Sequence, residues 1–346
     1  MELSDNPYRG HGLDTLPGDI PFPAHDPRPV RALLSRCPAA LETPIARLDG
    51  FGGAGRVLVK DERGRMGLGS FKALGAAYVI AREAEAANPA RPEGALAGRC
   101  YVTASAGNHG LSVAAGARVF GARAVVVLDR TVPEAFARRL AARGAEVHRE
   151  GADYGEAMAA AARLAEAEGW TLLSDSSWPG YHDRPHLLME GYLALAAECT
   201  AHLREPPSLV LLQAGVGGLA AACAAHFRAA WGEGPRIVVV EPAAAPALTH
   251  SIAEGRAVTS DGPASCMGRL DCKAPSLIAL KGLARDADGF ALITEDEARA
   301  VLSPLQAAGL GTTPSGGAGL AALMAGLPGV DGRSRVLTIL SEGPER

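Results

Sequence analysis

The sequence has few aromatic residues, little net charge and no long apolar run. Aromatic side chains make up 5% of its 346 residues, and its formal charge is -4. A chain this close to neutrality has no electrostatic reason to bind nucleic acid or an anionic membrane surface. No stretch approaches the roughly 20 apolar residues that are needed to cross a bilayer. We therefore expect neither nucleic acid nor membrane as a partner.

Cysteine is also scarce. The six cysteines are scattered without a C-x-x-C pair, and no Cys/His spacing typical of a zinc site occurs. We expect reduced thiols and no metal centre. The first residues have neither the basic start nor the apolar run of a secretory signal, so we expect a cytoplasmic protein.

The chain does contain alternating strand and helix patterns. Residues 1 to about 30 are rich in proline and glycine and predict irregular surface structure. Strands are predicted at 56–60, 100–103, 124–128, 146–148, 209–213, 236–240 and 336–340. Helices are predicted at 30–35, from 71 or 72, from 108, at 134–143 and 154–168, and after 218. Such alternation predicts an α/β fold with two mainly parallel sheets and a ligand crevice at their strand ends.

Four short segments suggest one cofactor site. They are Gly69-Ser70-Phe71-Lys72, Ser105-Ala106-Gly107-Asn108-His109-Gly110, Gly215-Val216-Gly217-Gly218-Leu219 and Pro314-Ser315-Gly316-Gly317-Ala318. They provide a lysine on a turn, an Asn-His turn opening a helix, a glycine loop between strand and helix, and a late Ser-Gly pair. These can make four different contacts to an aldehyde cofactor, which predicts a pyridoxal 5'-phosphate site.

The chain resembles the fold-type II pyridoxal phosphate enzymes and, among them, the diaminopropionate ammonia-lyases. The resemblance rests on Asn6-Pro7-Tyr8-Arg9-Gly10, on residues 59–80, on Asp175-x-x-Trp178-x-Gly180-Tyr181, on residues 211–221 and on Val240-Glu241-Pro242. It implies two lobes, each with a mainly parallel twisted sheet flanked by helices. Residues 75–170 would form a small domain inserted into a large cofactor-binding domain of residues 1–74 and 171–346. It also implies a homodimer.

The resemblance assigns contacts to the cofactor. Lys72 would hold the aldehyde as an imine and later act as a base, and Asn108 would hydrogen-bond the 3-oxygen. The loop of Gly215, Val216, Gly217, Gly218 and Leu219 joins an apolar strand to a helix, which favours phosphate binding by backbone N–H groups. Ser315 would meet the ring nitrogen. Taken alone, Lys72 is typical of a solvated helix lysine, Asn108 of a helix N-cap and Ser315 of an ordinary turn.

Further residues are assigned to the substrate. Asp175 resembles an ammonia-lyase aspartate near the substrate's amino groups, where it would bind a β-ammonium group or transfer protons. The alternative is an aspartate that caps the following turn. The Ser105-Ala106 turn would also contact the substrate. Arg269 or Lys273 could accept a substrate carboxylate, or either could be an exposed loop cation.

Two departures from the family pattern concern specificity. Typical diaminopropionate ammonia-lyases have an aspartate before Gly-Asn-His-Gly, and that residue is implicated in removing the α-proton of the D isomer. This chain has Ala106 there, so we expect activity on the L isomer. At residues 267–276, where the family commonly shows GL-x-CGEP-N-P, Lys273-Ala274 replaces the Gly-Glu pair. We expect altered substrate recognition.

The resemblance implies a carbon-nitrogen lyase. The expected reaction removes an α-proton and then a β-amino group from an L-amino acid, with 2,3-diaminopropionate the leading substrate, and yields a 2-oxo acid and ammonia. The alternatives are a dehydratase for serine, threonine or 3-hydroxyaspartate and a β-replacement synthase. A non-catalytic vitamin-binding homologue is disfavoured because Lys72 and its partner motifs are all present.

Overall fold

The chain folds around two β-sheets. The computed structural model describes residues 1–344. The larger sheet has seven strands in the order β1-β10-β9-β8-β11-β3-β2, and the smaller has four in the order β6-β5-β4-β7. The strands are β1 (Glu2–Asp5), β2 (Ile45–Asp49), β3 (Arg56–Asp61), β4 (Cys100–Ala104), β5 (Arg123–Leu128), β6 (Glu146–Arg149), β7 (Thr171–Leu172), β8 (Leu209–Gln213), β9 (Arg236–Pro242), β10 (Gly289–Ile293) and β11 (Arg335–Leu340).

Helices connect and cover the strands. They are α1 (Arg28–Leu34), α2 (Ala76–Ala87), α3 (Asn108–Val119), α4 (Glu134–Ala141), α5 (Tyr154–Glu168), α6 (Asp183–His202), α7 (Gly218–Trp231), α8 (Ala247–Glu254), α9 (Leu277–Asp286), α10 (Glu295–Ala300), α11 (Leu302–Ala307) and α12 (Ala318–Met324). Short 3₁₀ turns lie at Phe51–Gly53, Glu62–Gly67 and Phe71–Leu74. Within residues 1–344, no helix combines the length and apolar character that crossing a membrane requires.

The interior strands of both sheets run parallel. Among the strand pairings of residues 1–344, only the two edge pairings of the large sheet are antiparallel, β1 with β10 and β2 with β3. A parallel strand that is covered by helices on both faces needs apolar residues at successive positions. Accordingly, every residue of Cys100–Ala104 and of Leu209–Gln213 is buried. The predicted α/β fold with two mainly parallel sheets is confirmed.

One apolar cluster joins the two lobes. It contains Val126 of the small sheet, Val210 of the large sheet and Leu188 of α6 between them. Separate clusters cover the outer face of each sheet, with Val238 in one and Val102 in the other. Burial of shared apolar surface is the main force that holds such layers together. It fixes the crevice between the strand ends of the two sheets.

Two local predictions are wrong. Residues 1–30 are not irregular throughout, because Glu2–Asp5 forms an edge strand on β10. The Asn6 side-chain amide secures this segment by donating to the carbonyls of Ala284 (2.9 Å) and Ala287 (2.7 Å). The helix predicted from residue 71 or 72 begins at Ala76, and a 3₁₀ turn precedes it.

Candidate active site at the strand ends

A cavity of about 510 Å³ lies between the lobes. Its lining includes residues that directly follow three parallel strands: Ser105 after β4, Ala214 after β8 and Ser341 after β11. Loops at the carboxyl ends of parallel strands are the usual ligand sites of open α/β sheets. The predicted crevice is therefore present.

Lys72 lies in the 3₁₀ turn Phe71–Leu74 and lines the cavity. The end of β11 holds this turn, because the Phe71 N–H donates to the Ser341 carbonyl at 3.0 Å. The Phe71 ring also meets the Tyr192 ring edge to face, with centroids 4.9 Å apart. Backbone and ring contacts together fix the base of the Lys72 side chain.

Asp175 is the partner of Lys72. The Lys72 Nζ donates to Asp175 Oδ2 at 2.5 Å, and both side chains are about four-fifths buried. Burial lowers the pKa of the Lys72 amine, but the Asp175 carboxylate outweighs it and raises that pKa overall. Burial raises the pKa of Asp175, and the Lys72 ammonium reverses this and lowers it overall. The two groups therefore form an ion pair at neutral pH.

The Asn-His turn opens helix α3. Asn108 lines the cavity, and its side-chain amide donates to the Glu342 carboxylate. His109 Nε2 lies 2.8 Å from the Leu173 carbonyl. Burial lowers the pKa of His109, so the ring is neutral, and a carbonyl partner requires Nε2 to carry the proton. His109 Nδ1 is then a buried acceptor with no hydrogen-bond partner within residues 1–344.

The loop of residues 215–219 connects β8 to α7 and lines the same cavity. Gly217 has a φ of +97°, a conformation that favours glycine. A Cβ atom on Gly215 would lie 2.9 Å from Cys272 Sγ, and one on Gly217 would lie 2.9 Å from Ala279 Cβ. The first N–H groups of helix α7 have no acceptor within the helix, so this glycine cradle suits a phosphate.

Ser315 is not among the residues that line the cavity. It is buried, and its Oγ accepts a hydrogen bond from the Arg269 N–H at 3.1 Å. Ser341 and Glu342 line the cavity instead, at the end of β11. Sequence reasoning missed this pair because no glycine-rich motif marks it. The available signal was a polar pair directly after a buried strand.

The residues assigned to the substrate separate into two groups. Ser105, Ala106 and Arg269 all line the cavity. Lys273 does not: it pairs with Asp271 at 2.7 Å and donates to backbone carbonyls of the surrounding loop. Arg269 is thus the loop cation that reaches the cavity. No group of three or more His, Cys, Asp and Glu side chains is arranged to hold a metal ion in residues 1–344.

The residues present fit pyridoxal phosphate. They provide a buried lysine for the aldehyde and a glycine loop for the phosphate, and both line the same cavity. A Cβ atom on Gly215 or Gly217 would crowd this loop. Two lobes of mainly parallel sheet with this site define a fold-type II pyridoxal phosphate enzyme. The family "Pyridoxal-phosphate dependent enzyme" matches residues 37–342, and the chain belongs to it. The predicted fold type and cofactor are confirmed.

Two enzymes and one solved structure are similar to this chain over two thirds or more of its length. The chain is 32% identical to diaminopropionate ammonia-lyase of Salmonella typhimurium over 299 residues, 78% of this chain and 71% of that protein. It is 30% identical to the Escherichia coli K12 enzyme of the same name over 251 residues, 68% of this chain but 63% of that protein. A solved structure of the E. coli enzyme, in complex with an aminoacrylate-PLP azomethine reaction intermediate, matches with a TM-score of 0.85 at 26% identity. That match covers 99% of this chain and 93% of the other.

Proposed function

We propose that this enzyme removes the α-proton and then the β-amino group of L-2,3-diaminopropionate. With one water, the products are pyruvate and two molecules of ammonia. The observation that carries the proposal is the buried carboxylate of Asp175 beside Lys72, 2.5 Å from its amine. The similarity to two enzymes named diaminopropionate ammonia-lyase supports the same substrate.

The cofactor would be held by residues of both lobes. Lys72 would bind the aldehyde, residues 215–219 the phosphate, and Asn108 the 3-oxygen. The contact to the ring nitrogen, predicted for Ser315, passes in this proposal to Ser341, which lines the cavity at the end of β11. When bound, pyridoxal phosphate draws electron density from the α-carbon of the amino acid and so weakens its C–H bond.

Lys72 would carry the proton transfer, and Asp175 would supply a compensating charge. Lys72 would take the α-proton once its amine has lost the proton that it holds in the ion pair with Asp175, because only the neutral amine is a base. Asp175 stays ionised, since its pKa is lowered overall by the adjacent cation. It therefore offers a negative charge to the cationic β-ammonium group of the substrate. Asp175 would pair first with the Lys72 ammonium and then with the β-ammonium group of the substrate, so its buried negative charge stays compensated.

Ala106 bears on stereochemistry. Its methyl side chain places no acid or base on the turn that leads into α3. With Lys72 as the base for the α-carbon, only an isomer whose α-proton faces the lysine reacts. We propose that this is the L isomer and that D-diaminopropionate is a poor substrate.

A product assay with several amino acids tests the proposal. Purified enzyme loaded with cofactor is given L- or D-diaminopropionate, serine or threonine, and 2-oxo acid and ammonia are both measured. We expect two ammonia per pyruvate from L-diaminopropionate and little product from the D isomer. No 2-oxo acid from any of them would overturn the assignment as an eliminating enzyme.

Substitution of Asp175 tests the residue that carries the proposal. Asp175→Asn should lower kcat/KM for L-diaminopropionate by about 10²-fold, because the β-ammonium group would lose a charged partner worth about 2–3 kcal/mol. Asp129→Asn is a matched control, because Asp129 also lines the cavity but its carboxylate accepts from Thr131 nearby. An Asp175→Asn enzyme as active as the Asp129→Asn enzyme would contradict the role of Asp175.

Three expectations about organisation remain part of the proposal. The strands of the small sheet, β4 to β7, span Cys100–Ala104 to Thr171–Leu172, which supports an inserted domain at about 75–170. The family resemblance supports a homodimer, and we propose the cytoplasmic location that the sequence predicts. Light scattering on the purified protein tests the dimer, and a mass near 35.5 kDa would contradict it.

A further inference from the structure

A second cavity opens beside the candidate active site. It has a volume of about 820 Å³ and shares Asn108, Arg269 and Glu342 with the first. Its lining comes from both sides of the interlobe crevice. We call it the basic cleft, because its lining includes four arginines, namely Arg63, Arg139, Arg143 and Arg269.

The charges of the basic cleft are unevenly balanced. Arg63 is paired with Asp61 at 2.7 Å, and Arg269 Nε lies 3.6 Å from Glu342 Oε2. Arg139 and Arg143 lie at the end of α4 and just beyond it, and neither forms an ion pair with any residue from 1 to 344. Within the cleft as described, the positive charges therefore outnumber the carboxylates that neutralise them.

Two of these arginines converge on one aromatic ring. The guanidinium carbons of Arg139 and Arg269 lie 5.9 Å and 5.7 Å from the centroid of the Phe136 ring. The ring face attracts each cation, but it does not neutralise either charge. Arg269 already lies beside the Glu342 carboxylate, whereas Arg139 has no carboxylate partner within residues 1–344, so the two guanidinium groups together favour one further anion.

Arg269 also touches the turn that would receive the substrate. A Cβ atom on Gly107 would lie 3.4 Å from both Cδ and Nε of Arg269. Gly107 follows Ala106 in the turn that leads into α3, and neither residue carries a charge. Among the described residues that line the active-site cavity, Lys72 is the only lysine and Arg269 is the only arginine. Arg269 is therefore placed to meet a substrate anion that Lys72 does not.

We propose that Arg269, assisted by Arg139, binds a second carboxylate of the substrate. The preferred substrate class is then an L-amino acid with an amino or hydroxyl leaving group and a carboxylate on its β-carbon. This inference rests on the proposed elimination reaction. L-diaminopropionate remains a substrate, and amino acids with a β-carboxylate are turned over more efficiently. The planar guanidinium forms paired hydrogen bonds with carboxylates, so it can distinguish a β-carboxylate from a β-hydrogen.

The chemistry of this class balances without another reactant. With a β-hydroxyl group, loss of water between Cα and Cβ followed by hydrolysis of the enamine gives a 2-oxo dicarboxylate and one ammonia. With a β-amino group, one water enters overall and two ammonia leave. The β-carboxylate is unchanged, so Arg269 acts in recognition and takes no proton.

The first test compares three substrates: L-diaminopropionate, 2,3-diaminosuccinate and L-threo-3-hydroxyaspartate. We expect kcat/KM for the better dicarboxylate to exceed that for L-diaminopropionate by about tenfold or more, the effect of one charge-assisted contact. Turnover of L-diaminopropionate with equal or higher kcat/KM would overturn this inference and leave the proposed elimination intact. No product from any substrate would overturn the elimination instead.

Three glutamine variants test which arginine produces the preference for dicarboxylate substrates. Arg269→Gln should reduce the ratio of dicarboxylate to diaminopropionate kcat/KM by about tenfold, and Arg139→Gln by about threefold. Arg138→Gln is the matched control, because Arg138 is an exposed residue of the same helix and lines neither cavity. A ratio that falls equally in all three variants, or in none, would overturn the assignment.

A binding measurement gives a readout that does not depend on turnover. Succinate and butyrate, which lack the amine and cannot react, are titrated into the cofactor-loaded enzyme by calorimetry. We expect succinate to bind about tenfold more tightly than butyrate, and this difference to disappear in Arg269→Gln but not in Arg138→Gln. If Arg269→Gln melts at a lower temperature, Arg139→Gln serves in its place. Equal binding of the two acids to the unmodified enzyme would refute the second carboxylate site.

Discussion

A buried cluster of charged side chains gives a sharp stability prediction for Glu62→Gln. Glu62 is fully buried, and its carboxylate accepts from Arg65 Nε and Nη2 at 2.7 Å each. Lys60 and Arg65 are also buried, and Glu198 is the second carboxylate that contacts both. Glutamine keeps the size of the side chain but removes one negative charge. Two buried cations would then share one carboxylate.

The cost of this change follows from the burial. Breaking a buried ion pair by removing one partner costs about 3–5 kcal/mol, because the remaining charge is left without compensation. Unfolding entropy near the melting point is about 2.1 cal/mol/K per residue, so a loss of this size lowers the Tm of a chain this long by about 4–7 °C.

Thermal unfolding followed by circular dichroism measures the effect. The control is Glu85→Gln, which removes a carboxylate from an exposed ion pair with Arg36. Exposed pairs contribute at most about 1 kcal/mol, so the control should lose about 1 °C or less. If Tm decreases equally in the two variants, the stability of the cluster does not depend on charge compensation and the reasoning is refuted.

Three further predictions concern the cofactor and pH. Lys72→Ala should fold but lose detectable turnover in the 2-oxo acid assay, whereas turnover like that of the unmodified enzyme would contradict its role. Gly217→Ala should weaken cofactor binding about tenfold or more in an absorbance titration, because an alanine at the positive φ of this position would strain the loop that we propose binds the phosphate. Gly232→Ala has positive φ but open space around it, and an equal loss there would rule out this explanation. Burial raises the pKa of Glu241 to about 7 from 4.5. Between these two pH values, the folded state holds a proton that the unfolded state has released. Stability should fall by about 3 kcal/mol as pH rises from about 4.5 to 7, and Glu241→Gln should remove that slope in urea titrations at several pH values.

The elements that the sequence predicted well are those defined by local pattern. Helix α5 occupies Tyr154–Glu168 and strand β8 Leu209–Gln213, the same residues that periodicity indicates. Strand β1 escaped prediction because its partner, β10, lies far away in the chain. The turn at Phe71–Leu74 was predicted as helix, since its shape depends on a hydrogen bond to Ser341.

The same distinction applies to the site. Lys72, Asn108 and the 215–219 loop were found because each lies in a short motif of its own. Glu342 was missed because it reaches the cavity through the order of the sheet, in which β11 lies beside β3. The convergence of Arg139 and Arg269 on Phe136 depends on how the lobes meet, and no linear pattern contains that information.

The central position of β11 determines the order in which the molecule can be completed during synthesis. Arg335–Leu340 pairs with β3 on one side and β8 on the other, so without it the large sheet consists of two unconnected parts. All strands of the small sheet emerge from the ribosome before β8 does. Pairings between distant segments form slowly, because long loops must close first. The end of the same strand holds the turn that carries Lys72, so a nascent chain acquires the complete candidate site only when β11 has been inserted.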